Sequence, residues 1–173
     1  LIGLFPDVGG GYFLSRCQGA LGEYLGLTGQ MLDGAQAVYA GLADVLCPSS
    51  ALPEIWDALP HQAWSHPPAT IQQLLQPYQD ATHSAKNTVP DWWHPVYEDV
   101  FSLPTVSNIT ATLSQHPASV SQAASQALQK RSPLMLAVTL QQIRRARHMG
   151  LADELRMERD LVRHCFHPSH LGI

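Results

Sequence analysis

At 173 residues, with 45% hydrophobic and 14% charged residues, the chain has the size of one domain with an appendage and enough apolar matter for a core, which excludes a disordered polymer. The net charge is −4 and the basic residues are spread out except at Arg144, Arg145 and Arg147, so nucleic acid is excluded as a partner. No apolar run approaches the ~20 residues that span a bilayer, and Cys17, Cys47 and Cys165 are odd in number and far apart, without a disulfide framework or thiolate zinc pattern; a soluble protein of the reducing cytosol is expected.

The chain opens inside an apolar run, Leu1 to Pro6, without an initiator Met, as expected of a chain whose upstream part lies elsewhere. Asp7 follows, then Gly9, Gly10 and Gly11, then an aromatic run from Tyr12 to Leu14. Consecutive glycines reach positive φ and let a backbone or ligand approach the N–H groups at a helix start, so a loop feeding a helix is predicted. A carboxylate at the rim of such an apolar loop is poorly solvated, which tunes its proton affinity for acid–base or nucleophilic work; the bland alternative for Asp7 is a helix cap.

A helix is predicted from Leu21 to Leu27, stopped by Thr28-Gly29, and another from an Asp33 N-cap through Tyr39 to Gly41. Ala43 to Cys47 reads as a short strand or extended exit before Pro48. Ser50 and Pro53 open a helix containing Ile55, Trp56 and Leu59, whereas residues 61–95, crowded with Pro, Gln, Ser and His, read as irregular. Apolar rhythm resumes from Val96 to Leu113, and Ala118 to Leu128 is helix-prone.

Ser132-Pro133 begins the clearest helix, Leu134 to His148, with Leu136, Leu140 and Ile143 on one face and the arginines in its last turns, read as a solvated helix end. After Gly150 comes an amphipathic helix, Leu151 to Phe166, with an apolar stripe of Leu151, Leu155, Val162 and Phe166; a single intervening glycine implies a hairpin or sharp bend. Glu158 falls within that stripe, so a buried ion pair with an arginine is expected of it rather than catalysis. His164, Cys165, His167 and His170 straddle Pro168 and are not expected to converge on a metal. Trp92-Trp93-His94-Pro95 reads as an anchoring aromatic cluster. The fold class expected is mainly α, with a small α/β remnant at the front.

Four stretches carry a family resemblance. Residues 1–16, LIGLFPDVGGGYFLSR, resemble the signature that follows the catalytic glutamate of the 3-hydroxyisobutyryl-CoA hydrolases, in the enoyl-CoA hydratase/isomerase (crotonase) superfamily. Residues 25–42, LGLTGQMLDGAQAVYAGL, resemble the segment that comes next, and SPLMLAVTL with LRMERDL resemble the C-terminal region. Typical hydratases of the superfamily are expected to carry Gly at the place of Asp7 and a Thr-Gln-Arg-Leu-like continuation at Gly11 to Leu14.

The resemblance implies the end of a crotonase-type α/β (ββα spiral) core over residues 1–50 and a helical C-terminal region over 51–173. It implies hydrolysis of a short 3-hydroxyacyl-CoA, as in valine breakdown, with CoA as part of the substrate and no further cofactor. Asp7 would be the catalytic residue on this chain, Gly3, Phe5, Gly9, Gly10 and Tyr12 would form or shape the acyl site, and no metal would be bound. The partner Glu would fall two residues ahead of Leu1, and the oxyanion-hole loop farther upstream, so this chain alone should not catalyse. An enoyl-CoA hydratase or isomerase, or a noncatalytic helical module assembling as a homo-oligomer through its C-terminal helices, are the rival readings.

Overall fold

The computed structural model describes residues 3–166. Among them the helices, in chain order, are α1 (Gly10–Leu14), α2 (Leu21–Thr28), α3 (Gly34–Tyr39), α4 (Leu52–Ala58), α5 (Pro67–Leu74), α6 (Gln79–Lys86), α7 (Val96–Phe101), α8 (Val106–Leu113), α9 (Ala118–Gln129), α10 (Pro133–Ala146) and α11 (Leu151–Phe166). The expected mainly α class holds, and no strand occurs among the described residues. Ala43 to Cys47 is an extended exit, not a strand.

Two compact units form, one from Leu1–Met31 with Trp93–Ile173, the other from Leu32–Trp92. The division between them falls at 31/32 and 92/93. In the first unit α2 lies against α10, with α1, α7 and α9 also packed on α2. Leu27, Phe101, Ile109, Leu113, Leu140 and Ile143 are fully enclosed there. Tyr24 stacks on Tyr97 with ring centroids 5.0 Å apart and meets Phe101 and Trp93 edge-on at 5.2 and 5.5 Å, so Trp93 is an aromatic anchor. Burial lifts the Tyr24 hydroxyl to about 12, with Tyr97 adding to the effect.

Several local signals act as predicted. The Asp33 side chain accepts from the Gln36 N–H at 2.8 Å while the Gln36 side chain accepts from the Asp33 N–H, a capping box that starts α3. Gly29, at φ +68°, ends α2, and Ser132 with Pro133 begins α10. The apolar stretch from Val96 is two helices, because the Thr105 side chain accepts the Asn108 N–H and starts α8 afresh.

The second unit corrects the irregular reading of residues 61–95. Pro67 and Pro68 occupy the first turn of α5, where a missing N–H costs nothing and the fixed φ favours the helix. α3 packs on α6, whose buried Thr82 accepts the Leu46 N–H at 2.9 Å and ties down the extended exit.

Two of the three arginines at the end of α10 are engaged by a buried carboxylate, while Arg145 is exposed as a solvated helix end would be. Arg144 and Arg147 lie 3.5 and 2.8 Å from the buried Glu23 carboxylate, and Arg144 also donates to the carbonyls of Phe101, Leu103 and Pro104. Breaking such a buried pair strands a charge, so these side chains are structural. Burial and the nearby Glu23 push the Cys17 thiol up to about 11, leaving it inert.

α2 comes so close to α10 that a Cβ on Gly26 would sit 2.6 Å from Ile143 Cδ1. Gly26→Ala should therefore destabilise by ~1–3 kcal/mol through overpacking. Combining it with Ile143→Val, which removes that Cδ1 and alone costs ~1 kcal/mol, should give a double variant more stable than the sum of the two losses. Urea unfolding of the three variants measures this, and simple additivity would contradict the contact.

Candidate active-site loop and its buried support

Pro6 to Gly11 form a tight turn entering α1. The Asp7 carbonyl accepts the Gly10 N–H at 2.9 Å, and Gly9, at φ +80°, precedes the helix. Val8 has φ +56°, in the left-handed region that a β-branched residue avoids, and is 85% exposed. Such a conformation costs about 1–3 kcal/mol and persists only where its surroundings impose it.

Those surroundings are two helices. The Gly9 N–H donates to both oxygens of the Glu158 carboxylate, at 3.0 and 3.1 Å. Gln142 on α10 donates through Nε2 to the Pro6 carbonyl at 2.7 Å, to Glu154 at 3.1 Å and to Glu158 at 3.3 Å. All three polar side chains are buried. A Cβ on Gly11 would overlap Glu154 Oε1 and lie 2.6 Å from Gln142 Nε2, so only glycine admits this carboxylate beneath the helix start.

Glu158 is buried, as expected, but its partners are a backbone N–H, an amide and a second carboxyl in place of the arginine. The reason is that α11 is turned over: Leu151, Leu155 and Phe166 of the anticipated buried stripe are exposed, while Glu154 and Glu158, one turn apart, face inward. Burial raises the Glu154 carboxyl to about 7; a Gln142 N–H opposes this, the facing Glu158 adds to it, and the Arg16 charge opposes it. Glu154 Oε2 is buried without a hydrogen-bond partner among the described residues, which disfavours the ionised form.

Asp7 itself is exposed, so the described residues do not supply the poor solvation expected of it. Its residue borders a cavity of about 260 Å³ with Leu4, Phe5, Leu14, Leu25 and Gly26. Phe5 is 2% exposed and Tyr12 half-buried, with the Arg16 guanidinium 3.5 Å over the Tyr12 ring. Arg16 also holds the end of α10 through the carbonyls of Ala146 and Met149. Gly3, at φ +79°, is apart from that cavity and lines a groove of about 630 Å³ with Leu4, Leu134, Met135 and Leu161. The Gly9 and Gly10 N–H groups are already engaged, so a carboxylate, not a ligand, occupies the space that the glycines open.

Gln142 and Glu154 escaped the sequence reading. Two glutamates at i, i+4 within an otherwise apolar register were the available signal. Among the described residues no group of His, Cys, Asp and Glu is placed to hold a metal, and no helix is long and apolar enough to cross a membrane. His164 contacts the Asp160 carbonyl at 2.7 Å, while His167 and His170 lie outside the described residues.

Comparison with known proteins places these features in a wider frame. A family model described as enoyl-CoA hydratase/isomerase matches residues 1–171. The chain is 37% identical over 169 residues to a probable 3-hydroxyisobutyryl-CoA hydrolase 2 of Arabidopsis thaliana, an alignment covering 94% of the chain and 44% of the relative. It is 36% identical to the mitochondrial 3-hydroxyisobutyryl-CoA hydrolase of Gallus gallus, over 99% of the chain and 46% of that protein. It is also 34% identical to the small ribosomal subunit protein mS47 of Arabidopsis thaliana, over 87% of the chain and 37% of that protein. The solved structure of a carnitinyl-CoA dehydratase from Mycobacterium thermoresistibile superposes with a TM-score of 0.65 at 33% identity, covering 91% of the chain and 44% of that structure. The chain thus spans less than half the length of these relatives. The expected cytosolic location is overturned, since the relatives from Gallus gallus, Danio rerio and Homo sapiens are named mitochondrial and point to the mitochondrion instead. Free cysteines report a reducing compartment and do not tell one from another.

The buried carboxyl pair predicts a pH dependence. Because the folded chain holds the Glu154 proton up to about 7, against an ordinary 4.5, it binds more protons than the unfolded chain between those values. The stability this group contributes is complete below 4.5 and is lost as the pH rises to about 7. Glu154→Gln, which copies the neutral carboxyl, should gain on the parent in urea-unfolding midpoint as pH rises through that window. A difference between the two that does not change with pH would contradict the protonated pair.

Proposed function

The chain belongs to the enoyl-CoA hydratase/isomerase family, and on that footing we infer that the full-length protein hydrolyses a short 3-hydroxyacyl-CoA thioester to the free acid and CoA. The single observation that carries this reading is the likeness, at 35–37% identity over 94–99% of the chain, to proteins named 3-hydroxyisobutyryl-CoA hydrolases. A carboxylate residue bordering a cavity of about 260 Å³, the scale of a small acyl group, supports it.

In this reading residues 1–50 close a crotonase-type core and residues 51–173 form the helical C-terminal region. Water adds to the thioester carbonyl, the C–S bond breaks, and the leaving thiolate takes a proton. The nucleophile or base, a glutamate, and the oxyanion donors come from the part of the protein ahead of Leu1; each such donor is typically worth ~3 kcal/mol in the transition state. Asp7 is the catalytic residue of this chain, positioning or protonating the 3-hydroxyl group or the attacking water. Phe5, which lines the cavity beside Asp7, contributes apolar surface to the acyl site, while Gly9 and Gly10 act on it through the shape of the turn that carries Asp7. CoA arrives as part of the substrate, and the chemistry calls for no other cofactor.

A second reading has its own support. The mS47 relative is named as a ribosomal protein, and α11 exposes Leu151, Leu155 and Phe166, apolar surface of the kind that joins other protein. A noncatalytic module assembling through these helices fits both facts.

Turnover of 3-hydroxyisobutyryl-CoA by the full-length protein, with Asp7→Asn and the isolated 173-residue chain beside it, separates the readings. Hydrolysis that falls ~10²- to 10⁴-fold in Asp7→Asn and is absent from the isolated chain is the expected result. Hydration of crotonyl-CoA without hydrolysis would move the protein to the hydratases. Inactivity on both thioesters, with a large species on size exclusion, would favour the assembly module.

A further inference from the structure

Asp7 is exposed and Val8 beside it is 85% exposed, so among the described residues neither side chain is packed firmly enough to fix the turn. Yet Val8 is held at φ +56°, where a β-branched residue does not stay by preference. The restraint acts through the backbone on either side. Immediately before Asp7, the Pro6 carbonyl accepts from Gln142 Nε2 at 2.7 Å. Two residues after it, the Gly9 N–H is gripped by both oxygens of Glu158. The Asp7 carbonyl closes the turn on the Gly10 N–H at 2.9 Å.

The grips are themselves fixed. Gln142 is 2% exposed, Glu158 5% and Glu154 0%, and they stand on the two longest helices of the chain. Gln142 bonds both glutamates, so the two clamps form one connected unit. Replacing the Gly11 hydrogen by a side chain would break into this unit, which explains the third glycine.

We propose that Glu158 and Gln142 are positioning residues for Asp7, clamping the main chain on both sides of it so that an exposed carboxylate keeps one place relative to the substrate. The proposal rests on the reading of Asp7 as catalytic. A displacement of about 1 Å at a reacting group costs up to ~100-fold in rate, which is the scale on which such a clamp matters.

The test uses the full-length protein with Glu158→Gln, Gln142→Leu and Asp7→Asn, and the double variant Asp7→Asn with Glu158→Gln. Glu158→Gln keeps the shape but weakens the grip on Gly9. It should lower kcat ~10- to 100-fold with KM within about threefold, and speed hydrogen exchange at the Gly9 amide ~10-fold or more. Gln142→Leu should lower kcat in the same way. The double variant should be no slower than Asp7→Asn alone, because Glu158 acts through Asp7; a general loss of structure would instead add to the loss from Asp7→Asn. Unchanged kcat in Glu158→Gln, or additive losses in the double variant, would overturn the proposal. Full turnover by Asp7→Asn would defeat the catalytic reading of Asp7 and this proposal's purpose together, whereas the Gly9 exchange rate would still show whether the clamp exists.

Discussion

Glu158 lies 149 residues beyond Gly9 in the chain, yet its carboxylate accepts the Gly9 N–H with both oxygens. A buried carboxylate must be paired or hydrogen-bonded, and much of the first unit answers that requirement. Gln142 supplies a donor from α10, Glu154 one turn away brings a carboxyl whose burial favours the protonated form, and Gly11 withholds a side chain that would fill the space. The orientation of α11 follows as well. Turning its leucines inward would carry both glutamates out to solvent and leave the Gly9 amide, a buried donor, without an acceptor.

The turn that bears Asp7 is therefore shaped from below, not by its own packing. The Asp7 side chain stays accessible while the groups that restrain its backbone are buried. The same division separates two kinds of residue in the opening motif. Asp7 and Val8 face outward, whereas Gly9 and Gly11 face the helices. The motif's glycines are thus explained by contacts inside this chain, and its aspartate is not.

Local chemistry was legible in the sequence wherever one residue decided the outcome. Asp33, Thr28-Gly29 and Ser132-Pro133 mark helix ends as their capping chemistry requires, and Leu136, Leu140 and Ile143 are buried at the spacing that predicted it. What failed depended on distant partners. The stripe of Leu151, Leu155 and Phe166 satisfies helical periodicity, but the pull of the Gly9 amide and Gln142 on two glutamates outweighed the burial of those apolar groups. Arg144 and Arg147 looked like a solvated helix end because Glu23, more than a hundred residues earlier, gives no hint in sequence that it is buried beside them. Prolines made residues 61–95 look irregular, although Pro67 and Pro68 begin a helix. Asp7 stood out by its neighbours and the family motif, and the structure alone would not have singled it out.

The first unit is interrupted, since residues 32–92 form a compact unit of their own between its two parts. α2 finds its main packing partner in α10, with seven helices intervening in the chain. Closing so long a loop adds little to the free energy of the finished fold, because the entropic cost grows only with the logarithm of length. The timing is another matter. Within this chain the glycine turn and α2 are made before α10 and α11 and keep their apolar faces uncovered until those follow, while residues 32–92, whose contacts are nearer in sequence, are free to fold at once. The turn that bears Asp7 thus precedes α11 in synthesis but waits for it to take its shape, and a nascent chain stalled before α11 would carry every residue of the glycine motif without the carboxylate that organises it.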